Sequence, residues 1–134
     1  MSKDWRVEES AEYEYQVKFD FIETMKARTK DLVLRYIKLF KALPSSEEAR
    51  IIGKQVLRSA SSTGANYRAA CRARSKSEFF SKLSITIEEA DESLFWLEIL
   101  EEAGIVDEKK LAGLKAETIE ILKILAKARH SIQR

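Results

Sequence analysis

The sequence predicts an all-α protein that folds as an antiparallel up-and-down bundle of four helices. The chain of 134 residues contains only four Gly and one Pro, and 34% of its residues are charged. Such a composition is typical of long helices, because Gly and Pro interrupt them. Apolar residues recur at spacings of three and four in four separate segments. The breaks between these segments are short, so consecutive helices are expected to pack side by side.

One domain accounts for this length, since domains typically have about 100–150 residues. We divide the chain into an N-terminal tail or arm, residues 1–20, and a helical-bundle domain, residues 21–134. The first segment is acidic and shows no helical period. Its alternating stretch from Tyr13 to Phe19 would suit a short strand or an ordered arm. A loose tail is favoured, because chain termini are often poorly ordered.

The first two helices are separated by the lone proline. Helix 1 is predicted from about Thr29 to Leu43, and its pattern also allows a start near Ile22. Pro44 ends it, because the residue before a proline is pushed out of the helical region. The sequence Ser-Ser-Glu-Glu at residues 45–48 then matches a capping box. Helix 2 is predicted to follow it, from about Glu47 to Arg74.

The middle of helix 2 consists of small side chains, from Ser59 to Ala65. A loop is one interpretation of seven such residues. We favour a helix, because Ile52 and Val56 keep the helical period into this segment. Small side chains let a neighbouring backbone come close, so we expect tight packing here.

Two further helices complete the bundle. Residues 75–78 form a second capping box that opens helix 3, which is predicted to run through Ala103 with heptad spacing. Gly104 is the expected left-handed residue at its C-terminus. Asp107 caps helix 4, which runs to about His130. The apolar faces of helices 3 and 4 are wider than an isolated bundle needs, and this excess predicts self-association.

The composition also predicts a soluble, cytoplasmic protein. No apolar run approaches the roughly 20 residues that span a bilayer, so no membrane partner is expected. The first residues lack the apolar core of a signal peptide. The single Cys71 excludes an internal disulfide and fits a reducing compartment. We interpret Cys71 as a small buried residue rather than a nucleophile.

Nothing in the sequence predicts an enzyme, a metal site or a cofactor. The di-metal sites of helical bundles need Glu-x-x-His motifs on two helices, whereas this chain has one histidine, His130, with Lys127 three residues before it. Glu88, Glu89 and Glu92 lack imidazole partners, so we expect them to form a solvated acidic face that faces the basic helices. His130 lies near a helix C-terminus, where a cation is favourable. Glycine-rich phosphate-binding motifs are absent as well.

Charge is distributed in blocks, although the formal net charge is only +2. Residues 44–82 carry eight basic and three acidic side chains, and residues 83–108 carry nine carboxylates and no Lys or Arg. At about 100° per residue, the cations of helix 2 form one stripe that continues past its end. We call these residues the basic stripe: Arg50, Lys54, Arg58, Arg68 and Arg72, followed by Arg74 and Lys76.

Two interpretations of the basic stripe stay open. As a row of cations along one helix, it is a candidate nucleic-acid-binding surface that would neutralise phosphates. Alternatively, carboxylates of helix 3 neutralise it within the protein, and the candidates are Glu88, Asp91, Glu92 and Glu98. The charges would then serve the bundle itself rather than an anionic partner.

A block that spans helices 2 and 3 carries a family resemblance. It reads Gly64-Ala65-Asn66-Tyr67-Arg68, Cys71-Arg72-Ala73-Arg74-Ser75-Lys76, Phe79, Lys82-Leu83-Ser84-Ile85, Glu89-Ala90-Asp91-Glu92-Ser93 and Trp96-Leu97. In order and spacing it resembles the bacterial four-helix-bundle proteins known as 23S rRNA intervening-sequence proteins, over about residues 28–130. Ala69 stands where related sequences usually have an acidic residue, and Glu88 where they often have a basic or polar one. A salt bridge at this junction is therefore not carried over.

The resemblance implies an assembly and a set of partners. It implies an up-and-down bundle that forms a ring-like homopentamer. It also implies kinship with the accessory variability proteins of diversity-generating retroelements, which form basic pentamers and work with a reverse transcriptase and nucleic acid. The expected partners are thus other copies of the chain, RNA or DNA, and a reverse transcriptase. The family supplies no catalytic residues. A protein-binding scaffold or assembly module without nucleic-acid contact is the alternative function.

Overall fold

The computed structural model describes residues 5–132 and shows four α-helices and no strand within that range. The helices are α1 (Trp5–Ala42), α2 (Glu47–Cys71), α3 (Lys76–Glu102) and α4 (Glu108–Ser131). The predicted all-α class and the four helices are confirmed for this part of the chain. No helix in it is long and apolar enough to cross a membrane.

The start of α1 differs most from the prediction. The helix begins at Trp5 instead of near Thr29, so residues 5–20 are neither a loose tail nor a strand. This segment contains no Gly or Pro, and contacts one turn apart support it. Gln16 Nε2 donates to Asp20 Oδ1 at 2.9 Å, and the rings of Tyr15 and Phe19 stack at 6.5 Å.

The apolar side chains of this segment do not form one core-facing stripe, because no core lies beside it. Every residue from Glu9 to Asp20 is exposed, and the first buried side chain in the described part is Met25. We call residues 9–21 of α1 the arm. The boundary at residue 20 between an arm and a bundle domain stays a prediction.

Local signals end the helices where the sequence predicted. Three side chains cap the N-termini of α2, α3 and α4: Ser46, Ser75 and Asp107. Each accepts a backbone N–H of the first turn, at 3.3, 3.0 and 3.4 Å respectively, and so satisfies a donor that has no partner within the helix. Gly104 has φ of +71° beyond the end of α3, a conformation that glycine adopts without a steric penalty. The prediction was less accurate for the end of α2, which falls at Cys71 rather than Arg74.

The core lies between the facing stripes of the four helices. α2 packs most extensively against α3, and α1 contacts α2 more than it contacts α4. The largest fully buried side chains include two tyrosines, Tyr36 and Tyr67. Every buried side-chain nitrogen or oxygen in the described residues has a hydrogen-bond partner. In the described residues the core therefore contains no orphaned polar side-chain groups, which would each cost free energy.

The small-residue segment of α2 is helical and closely packed, as predicted. Ser59, Ala60 and Thr63 are fully buried. A Cβ atom added to Gly64 would lie 2.7 Å from Val33 Cγ2 of α1, which is closer than real Cβ contacts allow. The absence of a side chain at this position therefore sets the distance between α1 and α2.

The apolar surplus expected on helices 3 and 4 is found on α3. Ile85 and Phe95 are exposed there, with 39% and 47% of their surface accessible. On α4, none of the described large apolar side chains is exposed, and Ile119, Leu122 and Ile124 are half-buried. An exposed leucine, Leu34, adds apolar surface to α1.

Candidate nucleic-acid interface

The basic stripe lies on the solvent-exposed face of α2. Five of its members are exposed: Arg50, Lys54, Arg58 and Arg68 of α2, and Arg72 directly after the end of the helix. Arg50 and Arg68 point the same way because eighteen residues make five turns at about 3.6 residues per turn. Apolar packing fixes this orientation, since Ala49 and Val56 on the opposite side of α2 are fully buried.

Beyond the helix, two further cations extend the stripe towards α3. Arg74 lies in the connection between α2 and α3 and is exposed, and its Nε is 3.7 Å from Glu78 Oε2. This contact is long and solvent-screened, so it removes little of the charge. Lys76 is the exposed first residue of α3. It has interactions of its own.

Arg58 is the one member of the stripe on α2 that carboxylates of α3 neutralise. Its Nη1 lies 3.0 Å from Glu89 Oε2, and its Nη2 contacts a carboxylate oxygen of Glu92. The same Glu92 oxygen accepts the indole N–H of Trp96 at 3.0 Å. The hydrogen bond from Trp96, followed by that from Arg58, lowers the pKa of Glu92. In turn, the hydrogen bond to Glu92 raises the pKa of Arg58.

The pairing of Arg58 shows that the two interpretations of the basic stripe apply to different residues. Of the four carboxylates expected to neutralise it, only Glu92 forms an ion pair with it. Glu89 was missed, although its spacing of three residues from Glu92 places both on one face of α3. No ion pair within residues 9–132 involves Arg50, Lys54 and Arg68 of α2 or Arg72 directly after it. These four cations are therefore available to an anionic partner.

A second positive feature, which the sequence analysis missed, lies beside Arg68. A groove of about 630 Å³ runs between α1 and α2. Its rim carries Lys26 and Lys30 of α1 and Arg68 of α2, and its lining includes Val33, Gly64 and Ala65. Six basic residues in residues 25–43 were the available signal, but only the packing of α1 on α2 shows where they lie. We call this feature the α1–α2 groove.

The titratable side chains that could suggest other chemistry lie apart. No group of three or more His, Cys, Asp or Glu residues in the described chain could hold a metal ion. Cys71 is half-buried, and burial raises the pKa of its thiol, which disfavours the nucleophilic thiolate. His130 is exposed in the last turn of α4.

Comparison with known proteins shows the family to which this chain belongs. The model of the 23S rRNA-intervening sequence protein family matches residues 24–127. The chain belongs to this family. The resemblance read from the sequence is thereby confirmed, and the match includes all of α2 and α3. It begins at residue 24, so the arm lies outside the part that characterises 23S rRNA-intervening sequence proteins.

A solved structure supports the same assignment. The crystal structure of a protein of unknown function from the S23 ribosomal protein family of Bacteroides thetaiotaomicron resembles this chain with a TM-score of 0.76 and 30% sequence identity. The alignment covers 81% of this chain and 97% of that protein. The two proteins thus share a fold over nearly the whole of the neighbour. No curated protein matches the chain.

Proposed function

We propose that this family member is a non-enzymatic, oligomeric bundle of the cytoplasm that binds RNA or DNA through the exposed face of α2. In this proposal the four helices run antiparallel, up and down, and copies of the chain form a homopentamer. One observation carries the nucleic-acid part. Arg50, Lys54, Arg68 and Arg72 are exposed along one helix face and form no ion pair within residues 9–132.

The dimensions of this face suit a phosphate backbone. At about 1.5 Å per residue, the distance along the helix axis from Arg50 to Arg72 is roughly 33 Å. The same length of duplex has about ten base-pair steps at 3.4 Å each along a strand. Cations at both ends of α2 would therefore meet phosphates of one strand or of two neighbouring turns. Backbone contacts of this kind give affinity without base specificity.

Assembly would strengthen such binding. Each additional copy contributes further cations of the basic stripe, and linked sites bind more tightly than separate ones when the ligand reaches several of them. The apolar side chains Ile85 and Phe95 on α3 provide surface for association. In the proposal a reverse transcriptase is a further protein partner, as kinship with retroelement accessory proteins suggests.

The alternative is a protein-binding scaffold without nucleic-acid contact. The observation that favours it is the pairing of Arg58 with Glu89 and Glu92, because here a stripe cation stabilises the contact between α2 and α3. In that case the remaining cations would pair with carboxylates of neighbouring copies. Reversing their charge would then disturb assembly rather than nucleic-acid binding.

A salt titration of nucleic-acid binding tests the proposal. The probes are a structured fragment of 23S rRNA and a DNA duplex of equal length, each with the full chain. We expect binding that weakens steeply with salt, because every neutralised phosphate releases condensed counterions. Absence of binding to both probes at about 0.15 M salt, where the Debye length is about 8 Å, would favour the scaffold.

A further inference from the structure

The arm carries a row of apolar side chains that nothing in the described structure covers. Tyr13, Val17 and Phe21 follow one another at spacings of four residues and expose 72%, 50% and 38% of their surface. At about 100° per residue they share one side of the helix. Exposed apolar rows of this kind usually mark a contact with another molecule.

Carboxylates lie on both sides of this row. With the same helical geometry, Glu9 and Asp20 lie about 60–80° to one side of Val17, and Glu14 lies about 60° to the other. This side of the arm is therefore an apolar ridge bordered by negative charge, while Tyr15 and Phe19 expose apolar surface on the opposite side.

The α1–α2 groove has the complementary chemistry. Small and apolar residues line it, among them Val33, Gly64 and Ala65, and three cations border it: Lys26, Lys30 and Arg68. Glu23 is the one carboxylate in its lining, and it pairs with Lys26 at 3.3 Å. Lys30 and Arg68 form no ion pair within residues 9–132. An apolar floor between free cations fits an apolar ridge between carboxylates.

The arm cannot reach the groove of its own chain. α1 is one uninterrupted helix from Trp5 to Ala42, and it forms one wall of the groove itself. A straight helix cannot fold back onto its own side, so an arm that occupies such a groove must come from a second copy.

We propose that the arm of one copy docks into the α1–α2 groove of another copy, with the row Tyr13, Val17 and Phe21 on the groove floor. The carboxylates beside the row meet Lys30 and Arg68. Docking covers Arg68, so it competes with nucleic acid at one end of the basic stripe. The contact joins two different surfaces, and such head-to-tail contacts generate rings or filaments. The inference deepens the self-association part of the proposed function and does not depend on nucleic-acid binding.

A disulfide formed between two different variants tests the docking. Both variants carry Cys71→Ser, which removes the native thiol. One adds Val17→Cys in the row and the other adds Ala65→Cys in the groove. Mixed at micromolar concentration with a mild oxidant, they should form a cross-linked heterodimer, because a disulfide needs Cα atoms about 4.4–6.8 Å apart. The matched control replaces Val17→Cys by Tyr15→Cys, which lies on another side of the arm.

We expect the Val17→Cys and Ala65→Cys pair to cross-link about tenfold more than the control pair, since docking raises the local thiol concentration. Equal yields from the two pairs would overturn the proposal. Adding Lys30→Glu and Arg68→Glu to the Ala65→Cys partner should lower the yield, and Glu9→Lys with Glu14→Lys in the other partner should restore it. Cross-linking yields that do not change with these charge reversals would also overturn the proposal. Light scattering separates arm docking from self-association in general. An oligomer that does not form the cross-link contradicts only the docking of the arm, whereas a monomer contradicts self-association itself.

Discussion

The phenol of Tyr36 on α1 donates a buried hydrogen bond to the hydroxyl of Thr118 on α4, with 2.7 Å between the oxygens. The direction follows from Thr118, whose own hydroxyl proton goes to the carbonyl of Leu114 at 2.8 Å. Burial raises the pKa of Tyr36, so the phenol stays protonated and keeps its donor. This bond links the first helix of the bundle to the last.

We therefore predict that replacing Tyr36 and replacing Thr118 lower the free energy of unfolding by different amounts. Tyr36→Phe leaves Thr118 bonded to Leu114, so it should cost about 0.5–1.5 kcal/mol of unfolding free energy. Thr118→Val leaves the phenol buried without an acceptor and should cost more, about 1–3 kcal/mol. Denaturant unfolding of both single variants and the double variant measures this. A double variant whose loss equals the sum of the single losses would show that the two groups do not interact.

Close approach of α1 and α2 at Gly64 gives a second prediction. Ala normally stabilises a helix by about 1 kcal/mol relative to Gly, but at this position its Cβ would lie 2.7 Å from Val33 Cγ2. We expect Gly64→Ala to destabilise the protein, and Gly64→Leu to cost about 1–3 kcal/mol or more by overpacking. Adding Val33→Ala should recover part of the loss from Gly64→Ala.

Gly113→Ala is the matched control for that prediction. Its Cβ would meet only the end of the Arg35 side chain, at 3.4 Å, and that flexible end can move. The helix preference should then dominate, so Gly113→Ala should raise the melting temperature. If both alanine variants were stabilised equally, the contact at Gly64 would be looser than the structure indicates.

Acidification should weaken the contact between α2 and α3. Because the pKa of Glu92 is lowered from 4.5 in the folded protein, its contribution is fully present above the unfolded pKa. It is lost as the pH falls through the folded pKa. We expect Glu92→Gln to flatten the dependence of the melting temperature on pH in the acidic range. Glu88→Gln, at an exposed position without an ion pair in the described residues, should leave the wild-type dependence unchanged.

Charge reversal on the basic stripe tests the functional proposal directly. Arg50→Glu with Lys54→Glu, two exposed stripe cations outside the α1–α2 groove, should reduce affinity for RNA or DNA. It should also lower the slope of log affinity against log salt by about 2 for duplex DNA, since each phosphate contact contributes roughly 0.9. Lys109→Glu with Lys110→Glu makes the same change in net charge at the start of α4, a helix that does not contact α2. Equal losses in both double variants would indicate a general charge effect instead of a binding face.

Self-association is expected to depend on the exposed apolar side chains of α3. Light scattering of the wild type at micromolar concentration should give a mass several times 15.4 kDa. Ile85→Ser with Phe95→Ser removes apolar surface that is already exposed, so helical content should persist while the mass falls. A wild-type monomer over this concentration range would contradict the predicted assembly.

Signals that act over a few residues were read correctly from the sequence. Ser75 caps α3 through a backbone amide three residues away, and Gly104 takes the left-handed conformation just beyond the helix end. Pro44 separates α1 from α2 because it restricts only its immediate neighbour. The basic stripe was equally visible, since Arg50 and Arg68 share a helix face whatever packs on the other side.

The arm shows where such reading failed. A period of apolar residues predicts a helix that faces a core, and the segment from Tyr13 to Phe19 has no core to face. Its alternation resembled a strand, yet the absence of Gly and Pro and the contact of Tyr15 with Phe19 are compatible with a continuous helix. The segment lacked the apolar spacing of a core-facing helix because it is exposed to solvent, although it is helical.

By itself, the sequence determined four helices, their caps, the family and the row of cations on α2, because each depends on neighbours along the chain or on residue order. Only the tertiary structure decided which cations are free. The charge of Arg58 is compensated by Glu89 and Glu92 because α3 lies against that point of α2, whereas Arg68 faces a groove whose other wall is α1. Electrostatic attraction depends on distance through space, and that distance is set when the helices pack.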